Sequence, residues 1–329
     1  MNPETAKLRL EQVPTYQMLM SGVLVIDKPA GLTSHDVVNR VRRILHTRAV
    51  GHVGTLDPMA TGVLPLVIGN LTRLAQFYTS AEKSYEGAIR FGFATDTYDR
   101  EGKPTSPLQT LTFSLDTLRE WAGRFRGVIQ QVPPPFSAKK VEGVPAYKLA
   151  RKQKPFTLRQ VQVEVKEFEI LDLDGPQARF RARVGSGTYL RSVAHDLGQL
   201  AGCGAHLESL RRTSVGEFNL SQAHTLEGLE GAALHGSVRE ICVPLQDVLP
   251  ALPFVTANEE TLARIRSGRS VNLAELSRAK QVKVFDGERE LVAIATRVAG
   301  TLFHPKIVLA GEPSRRAAKP SKAEQPEGG

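Results

Sequence analysis

This 329-residue chain has very little cysteine and no long apolar run. Its two cysteines, Cys203 and Cys242, lack C-x-x-C spacing, so neither a zinc site nor a disulfide framework is suggested, and a reducing compartment fits. No stretch approaches the roughly 18 apolar residues of a membrane span. The N-terminus carries no apolar segment followed by a cleavage site. The expectation is a cytoplasmic protein that neither crosses nor binds a membrane. Several chemistries lack their signatures. No G-x-x-x-x-G-K-[ST] loop and no G-x-S-x-G elbow occurs, and Gly185-Ser186-Gly187 lacks the third glycine of a dinucleotide fingerprint. His46 and His52 have no second ligand pair at metal spacing.

What the chain does carry is positive charge. The formal net charge is +9 and the pI about 9.6, which favours a polyanionic partner such as nucleic acid. The length suits one large and one small domain, and 41% hydrophobic residues suffice for a buried core. Residues 1–20 read as a polar extension. Gly22–Asp27 reads as a buried strand closed by the turn Lys28-Pro29-Ala30-Gly31. Ser34 is the expected cap of a helix with Val37, Val38, Val41, Ile44 and Leu45 inward. Its other face, with Arg40, Arg42, Arg43 and then Arg48, is either a solvated face or a phosphate-contact surface. Strands are expected over 63–68, 83–93, 161–171 and 178–184. Asn70 is expected to cap a helix through Tyr78, a further helix spans Leu115–Phe125, and another begins at Tyr189. Residues 131–151 read as an extended basic segment leading into a short helix. Composition changes near Pro250–Pro253; beyond it a helix over 258–267, short strands and the turn Asp286-Gly287 form a small β-rich module. Residues 313–329 read as a disordered tail.

The stretch Gly51–Leu64 (GHVGTLDPMATGVL) concentrates glycine, one imidazole and one carboxylate ahead of an apolar strand. Asp57 is ambiguous on spacing alone. Asp before Pro58 is a good helix cap, and that is the commoner meaning of the pair. Against it, Gly51, Gly54 and Gly62 permit tight turns, and His52 can stack or donate. No Lys or Arg lies in the loop, so a catalytic Asp57 needs its counter-charge from elsewhere. Arg191, after the glycine turn at 185–187, is a candidate; its plainer reading is a surface arginine.

Gly22–Ser34 (GVLVIDKPAGLTS), Gly51–Gly69, Lys83–Tyr85, Ala94–Asp99 (ATDTYD), Gln131–Arg151, Gly185–Leu197 (GSGTYLRSVAHDL) and Gly202–Arg212 together resemble the bacterial TruB-type tRNA pseudouridine synthases. That resemblance implies an α/β (α+β) pseudouridine-synthase fold with a mixed, largely antiparallel sheet, spanning residues 21–250. It also implies a PUA-like RNA-binding domain over 251–312, a more diffuse match. The implied activity is isomerisation of uridine 55 in the T loop of tRNA, without metal or cofactor, by a monomer needing no protein partner. The implied roles are Asp57 as nucleophile, Tyr85 as the aromatic packing on the base and a candidate for proton transfer, and Arg191 as the partner of Asp57. Tyr189 and Leu210 would line the uridine pocket, His52 would hold the T loop open, and Lys28 would support the site. The basic segments 40–48, 139–154 and 211–212 would hold phosphates. The competing readings are an RNA-binding or tRNA-folding chaperone, and a synthase of this fold acting on another RNA.

Overall fold

The computed structural model describes residues 21–153, 155–287 and 290–309. The expected extension at 1–20 and tail at 313–329 lie outside the described residues. The chain divides into two compact units, with the boundary between Pro250 and Ala251.

The first unit is built on one ten-stranded sheet. Its early strands are β1 (Gly22–Lys28), β2 (Val50–His52), β3 (Thr61–Ile68), β4 (Lys83–Phe91) and β5 (Gly127–Gln131). A small hairpin, β6 (Lys140–Val141) with β7 (Val144–Pro145), stands apart from it. The sheet is completed by β8 (Val161–Asp174), β9 (Gln177–Val184), β10 (Ala205–Val215), β11 (Phe218–Asn219) and β12 (Ala223–His224). The spatial order is β12-β1-β3-β10-β4-β9-β8-β5, with β2 on β3 and β11 on β10. Only β1–β12 and β3–β10 run parallel, so the sheet is mixed and largely antiparallel.

Local chemistry explains most boundaries. β1 and β3 are nearly continuous apolar runs, and both are buried almost throughout, as strands covered on two faces must be. β9 alternates instead, with Ala178, Phe180, Ala182 and Val184 buried and Arg179, Arg181 and Arg183 outward. Burying each large apolar side chain contributes roughly 1.5–3 kcal/mol. The helix Ser34–Ile44 is capped by Thr33, not by Ser34: the Thr33 side chain accepts from Asp36 N, and the Asp36 carboxylate accepts from Thr33 N at 2.9 Å. Ser34 is buried, and its Oγ accepts from Leu56 N at 2.8 Å. Segment Gly69–Tyr78 is a 3₁₀ helix without a side-chain cap, so Asn70 does not have the expected role. Gly92, at φ +107°, ends β4 two residues before the expected limit. The helices Leu115–Gly123 and Leu190–Leu200 lie close to expectation; Leu226–Leu234 and β5 do not figure in the sequence reading.

The second unit holds β13 (Phe254–Thr256), β14 (Val271–Asn272), β15 (Gln281–Asp286), β16 (Glu290–Ala299) and β17 (Leu302–Val308). They form one sheet in the order β13-β15-β16-β17-β14. Helix Glu259–Arg266 begins at Asn258, whose Oδ1 accepts from Thr261 N at 3.0 Å. Leu262 and Ile265 of this helix bury against Val271, Val282, Val284 and Phe303.

Candidate active site

Asp57 sits in a turn where Ala60 N donates to Asp57 O at 3.1 Å, between β2 and β3. No helix follows it, so the capping reading of Asp57-Pro58 is overturned. The carboxylate turns instead to Arg191. Arg191 Nη2 donates to Asp57 Oδ1 at 3.0 Å, and Nε lies 2.9 Å from Oδ2 without the alignment of a hydrogen bond. The Asp57 side chain remains 36% exposed while that of Arg191 is only 5% exposed. The carboxylate therefore faces an opening from a buried counter-charge.

Three segments converge on that guanidinium. Arg191 Nη1 donates to Thr97 O at 3.1 Å, and Nη2 also donates to Phe136 O at 3.1 Å. Buried Asp99 places Oδ2 3.4 Å from Nη1. Asp99 is fixed in turn by Thr97 Oγ1 at 2.6 Å and Glu101 N at 3.1 Å. Tyr98 between them has φ +65°, and its ring stacks on His195, one helical turn beyond Arg191, at 3.7 Å between centroids. Burial pushes the Asp57 carboxyl above its ordinary range; Arg191 pulls it back, Asp99 raises it further and Lys28 opposes. An ionised Asp57 in this setting is a stronger base and nucleophile than a solvated aspartate.

Lys28 is wholly enclosed, so it does not face substrate. Its Nζ donates to the carbonyls of Pro29 at 2.9 Å, Leu32 at 2.5 Å and Pro58 at 3.2 Å, and so staples the Asp57 turn to the end of β1. Burial pushes the Lys28 ammonium down to about 8, with Asp57 acting against that shift. Gly31 N adds a second donor to Pro58 O at 2.9 Å.

Tyr85 on β4 is buried, and burial raises its phenol while Arg212, directly across on β10, draws it back. Leu210, two residues before Arg212 on the same strand, is buried on the same side. Tyr189 precedes the helix that carries Arg191. Its N–H donates to Gln131 Oε1 at 2.8 Å, and its carbonyl accepts from Gln131 Nε2 at 3.1 Å. Asp57 acts electrostatically on both tyrosines. Asp57, Tyr85, Tyr189 and Arg191 thus share one neighbourhood, whereas His52 lines a neighbouring cavity of about 270 Å³.

Arg212 corrects part of the sequence reading. It is fully buried, so it is no phosphate-contact residue at the surface. Nε donates to Val63 O at 2.8 Å, Nη2 to Gly54 O at 2.9 Å and Nη1 to Thr55 O at 3.3 Å. It holds the limb of the loop that leads into Asp57. Gly62 makes this possible: at φ +100°, a Cβ there would lie 2.2 Å from Arg212 O. Strand alternation counted from Leu210 marks Arg212 as inward. Arg211, facing outward, pairs with Asp27 at 2.7 Å. Arg40 is also engaged, with Glu227 at 3.1 Å and Glu230 at 3.0 Å, and Arg42 donates to Val50 O at 3.0 Å. Arg43, Arg48, Lys139, Lys140 and Lys148 are exposed. Asp99 and Thr97 are further members of the site; their signal was the segment ATDTYD, matched without a role being assigned to it. Among the described residues no cluster of His, Cys, Asp and Glu could hold a metal ion.

Comparison with known proteins bears on the whole of this arrangement. Residues 42–190 match the family described as TruB family pseudouridylate synthase (N terminal domain). Residues 191–252 match the tRNA pseudouridylate synthase B C-terminal domain. The chain is 52% identical over 293 residues to the tRNA pseudouridine synthase B of Solibacter usitatus, covering 88% of this chain and 100% of that relative. It is 37% identical over 292 residues to the protein of the same name from Aquifex aeolicus, again covering 88% and 100%. Among solved structures, a crystal structure of a Cbf5-Nop10-Gar1 complex superposes with a TM-score of 0.66 at 27% identity, over 88% of this chain and 85% of that one.

Proposed function

Because this chain belongs to the TruB family of pseudouridylate synthases, we propose that it isomerises uridine to pseudouridine in tRNA, at position 55 of the T loop. The observation that carries the mechanism is the half-open Asp57 carboxylate backed by a buried guanidinium. The reaction breaks the bond from N1 to the ribose C1′, joins C1′ to C5, removes the proton at C5 and leaves a proton on N1. Asp57 acts covalently, by adding to C6 of the base or by assisting its departure from the sugar, and so divides one hard step into easier ones. Arg191 keeps the carboxylate ionised against burial. Tyr85 packs on the ring and is placed to exchange the migrating proton; Tyr189 and Leu210 form the rest of the pocket wall. Lys28, Asp99 and Arg212 support the loop and the guanidinium without touching the base. A stacked uridine must first be extruded, at a cost of a few kcal/mol, which stacking on the pocket partly offsets.

Residues 21–250 form the catalytic domain in this reading, and 251–312 a PUA-like domain that adds RNA affinity. The enzyme acts as a monomer in the cytoplasm, on the T arm of tRNA. The test is Asp57→Asn. Pseudouridine mapped by mass in a tRNA transcript should vanish, with tRNA affinity kept within about threefold, the change being small and local. Turnover by that variant would overturn the nucleophile role. A T-loop hairpin left unmodified by the native enzyme would overturn the choice of substrate.

A further inference from the structure

The cavity beside the active site is lined by His52, Gly54, Tyr78, Thr79, Lys83 and Ser186, among others. Its charge is one-sided. Lys83 is nine-tenths buried, and its Nζ donates only to Ala81 O, at 2.6 Å, among the described residues. That leaves two ammonium protons without an acceptor. The charge that acts on it is another cation, Arg212, which packs beside it against Gly54 and spends its own donors on backbone carbonyls. A Cβ built on Gly54 would stand 3.5 Å from Lys83 Cε and 3.3 Å from Arg212 Nη1. His52 contributes a buried Nδ1 with no partner. No acidic residue among the described ones lines the cavity, and two carboxylates next to its lining residues are committed elsewhere. Glu82 pairs with Lys166 and Arg183, and Glu217 accepts from Tyr78 Oη at 2.6 Å and Leu249 N at 2.9 Å.

A buried ammonium lining a cavity that has no acidic residue in its wall is costly unless an anion completes the arrangement. Gly54 forms a wall common to the cavity and the Asp57 loop, three residues from the carboxylate. The geometry points to this cavity as the seat of one phosphodiester of the substrate RNA, on a linkage flanking the target uridine, with Lys83 Nζ, His52 Nδ1 and Ser186 Oγ as donors. The assignment rests on the reading that the substrate is RNA. The missing side chain of Gly54 is what lets the Lys83 stem and the Arg212 guanidinium pack against the loop, with Lys83 at the cavity wall. Ser186 is exposed at the rim and free to turn its hydroxyl inward. The seat gives a positioning role: a phosphate held here fixes the backbone beside the extruded nucleotide and hence the approach of its base to Asp57.

The experiment is a charge scan. T-arm hairpins, each with a single uncharged methylphosphonate, are bound to the native enzyme and to Lys83→Met. For the native enzyme, one linkage flanking the target should cost about tenfold in affinity when neutralised, the scale of a charge-assisted hydrogen bond. Lys83→Met should bind the unmodified hairpin about tenfold more weakly and be indifferent to that one linkage. Its salt dependence should flatten by roughly 0.7–0.9 in slope, one phosphate contact. Equal penalties in both proteins at every linkage would overturn the assignment. So would a native scan with no sensitive flanking linkage, which requires no variant to fold. Ser186→Ala, on the exposed rim, should reduce the penalty of the same linkage by about twofold; an unchanged penalty removes Ser186 and the seat with it. Conversion of the unmodified hairpin to pseudouridine, followed in the same samples, separates failure of the seat from failure of the RNA substrate.

Discussion

Arg191 and Arg212 are both buried arginines, and their surroundings are opposite. Arg191 meets two carboxylates, Asp57 and Asp99. Arg212 meets three backbone carbonyls and a phenol, with no acid among its partners. Burial lowers the pKa of Arg212, Tyr85 acting against the shift. The first arginine balances the charge of the carboxylate proposed to react. The second uses its fixed fork of donors to shape a loop, a task a lysine could not copy. One residue type thus serves electrostatics on one side of the Asp57 loop and architecture on the other.

The sharpest way to break this contrast is Arg191→Met. Losing one member of a buried ion pair costs about 3–5 kcal/mol, so single-turnover pseudouridine formation should fall by two to three orders of magnitude or more, with Arg191→Lys recovering part. A fall of less than about tenfold would mean that Asp57 does not depend on its counter-charge. Arg212→Met should show the reverse emphasis. Orphaning Gly54 O, Thr55 O and Val63 O removes several buried hydrogen bonds, each worth about 1–3 kcal/mol when left unsatisfied. The expected result is a drop of roughly 10 °C in melting temperature, measured by calorimetry, with turnover impaired through the disturbed loop. An unchanged melting temperature would contradict the architectural role.

The pH profile sharpens the comparison further. The Asp57 carboxyl is raised, so the proton occupies it at a higher pH than an ordinary aspartate, and the reactive ionised form is lost as pH falls through that raised value. The single-turnover rate should therefore have its acid limb above the normal carboxylate range. In Arg191→Met the limb should move upward again, because the guanidinium is the main force lowering that pKa; Arg212→Met should leave it in place. Coincident limbs in all three proteins would refute the charge-balancing role. The smallest effect is remote from both arginines. Thr33→Ala removes a reciprocal cap and should cost about 1 kcal/mol of stability, seen in denaturant melts, without altering the pH limb.

How much of this was legible beforehand differs by residue. Asp57 and Arg191 stand in short, chemically unusual segments, so both could be singled out, though spacing alone favoured a cap for one and a surface position for the other. Their contact links residues 134 positions apart, which no local pattern encodes. Helices with strong caps were readable, as Asn258 illustrates; at Thr33-Ser34 the adjacent hydroxyls offer the same chemistry, and only the burial of Ser34 against Leu56 separates them. The basic face at Arg40 looked open because its partners, Glu227 and Glu230, lie on a helix that the sequence reading did not contain. Arg211 and Arg212 read together as one basic, phosphate-holding pair; strand parity puts the two on opposite faces. Lys83 carries no role in the sequence pattern, where the tyrosine two residues later is the chemically distinctive residue.

The position of β10 also has a consequence for the order of events during synthesis. β3 and β4 follow one another in the chain, yet they are not partners; β10 lies between them. A ribosome making this protein N-terminus first must deliver more than a hundred further residues after β4 before that slot can be filled. Until then the inner edges of both strands are open to wrong partners. β10 also carries Leu210 and Arg212, so the pocket proposed for the uridine is completed only when this strand joins the sheet. The proposed site is therefore complete only late in synthesis, after β10 has emerged.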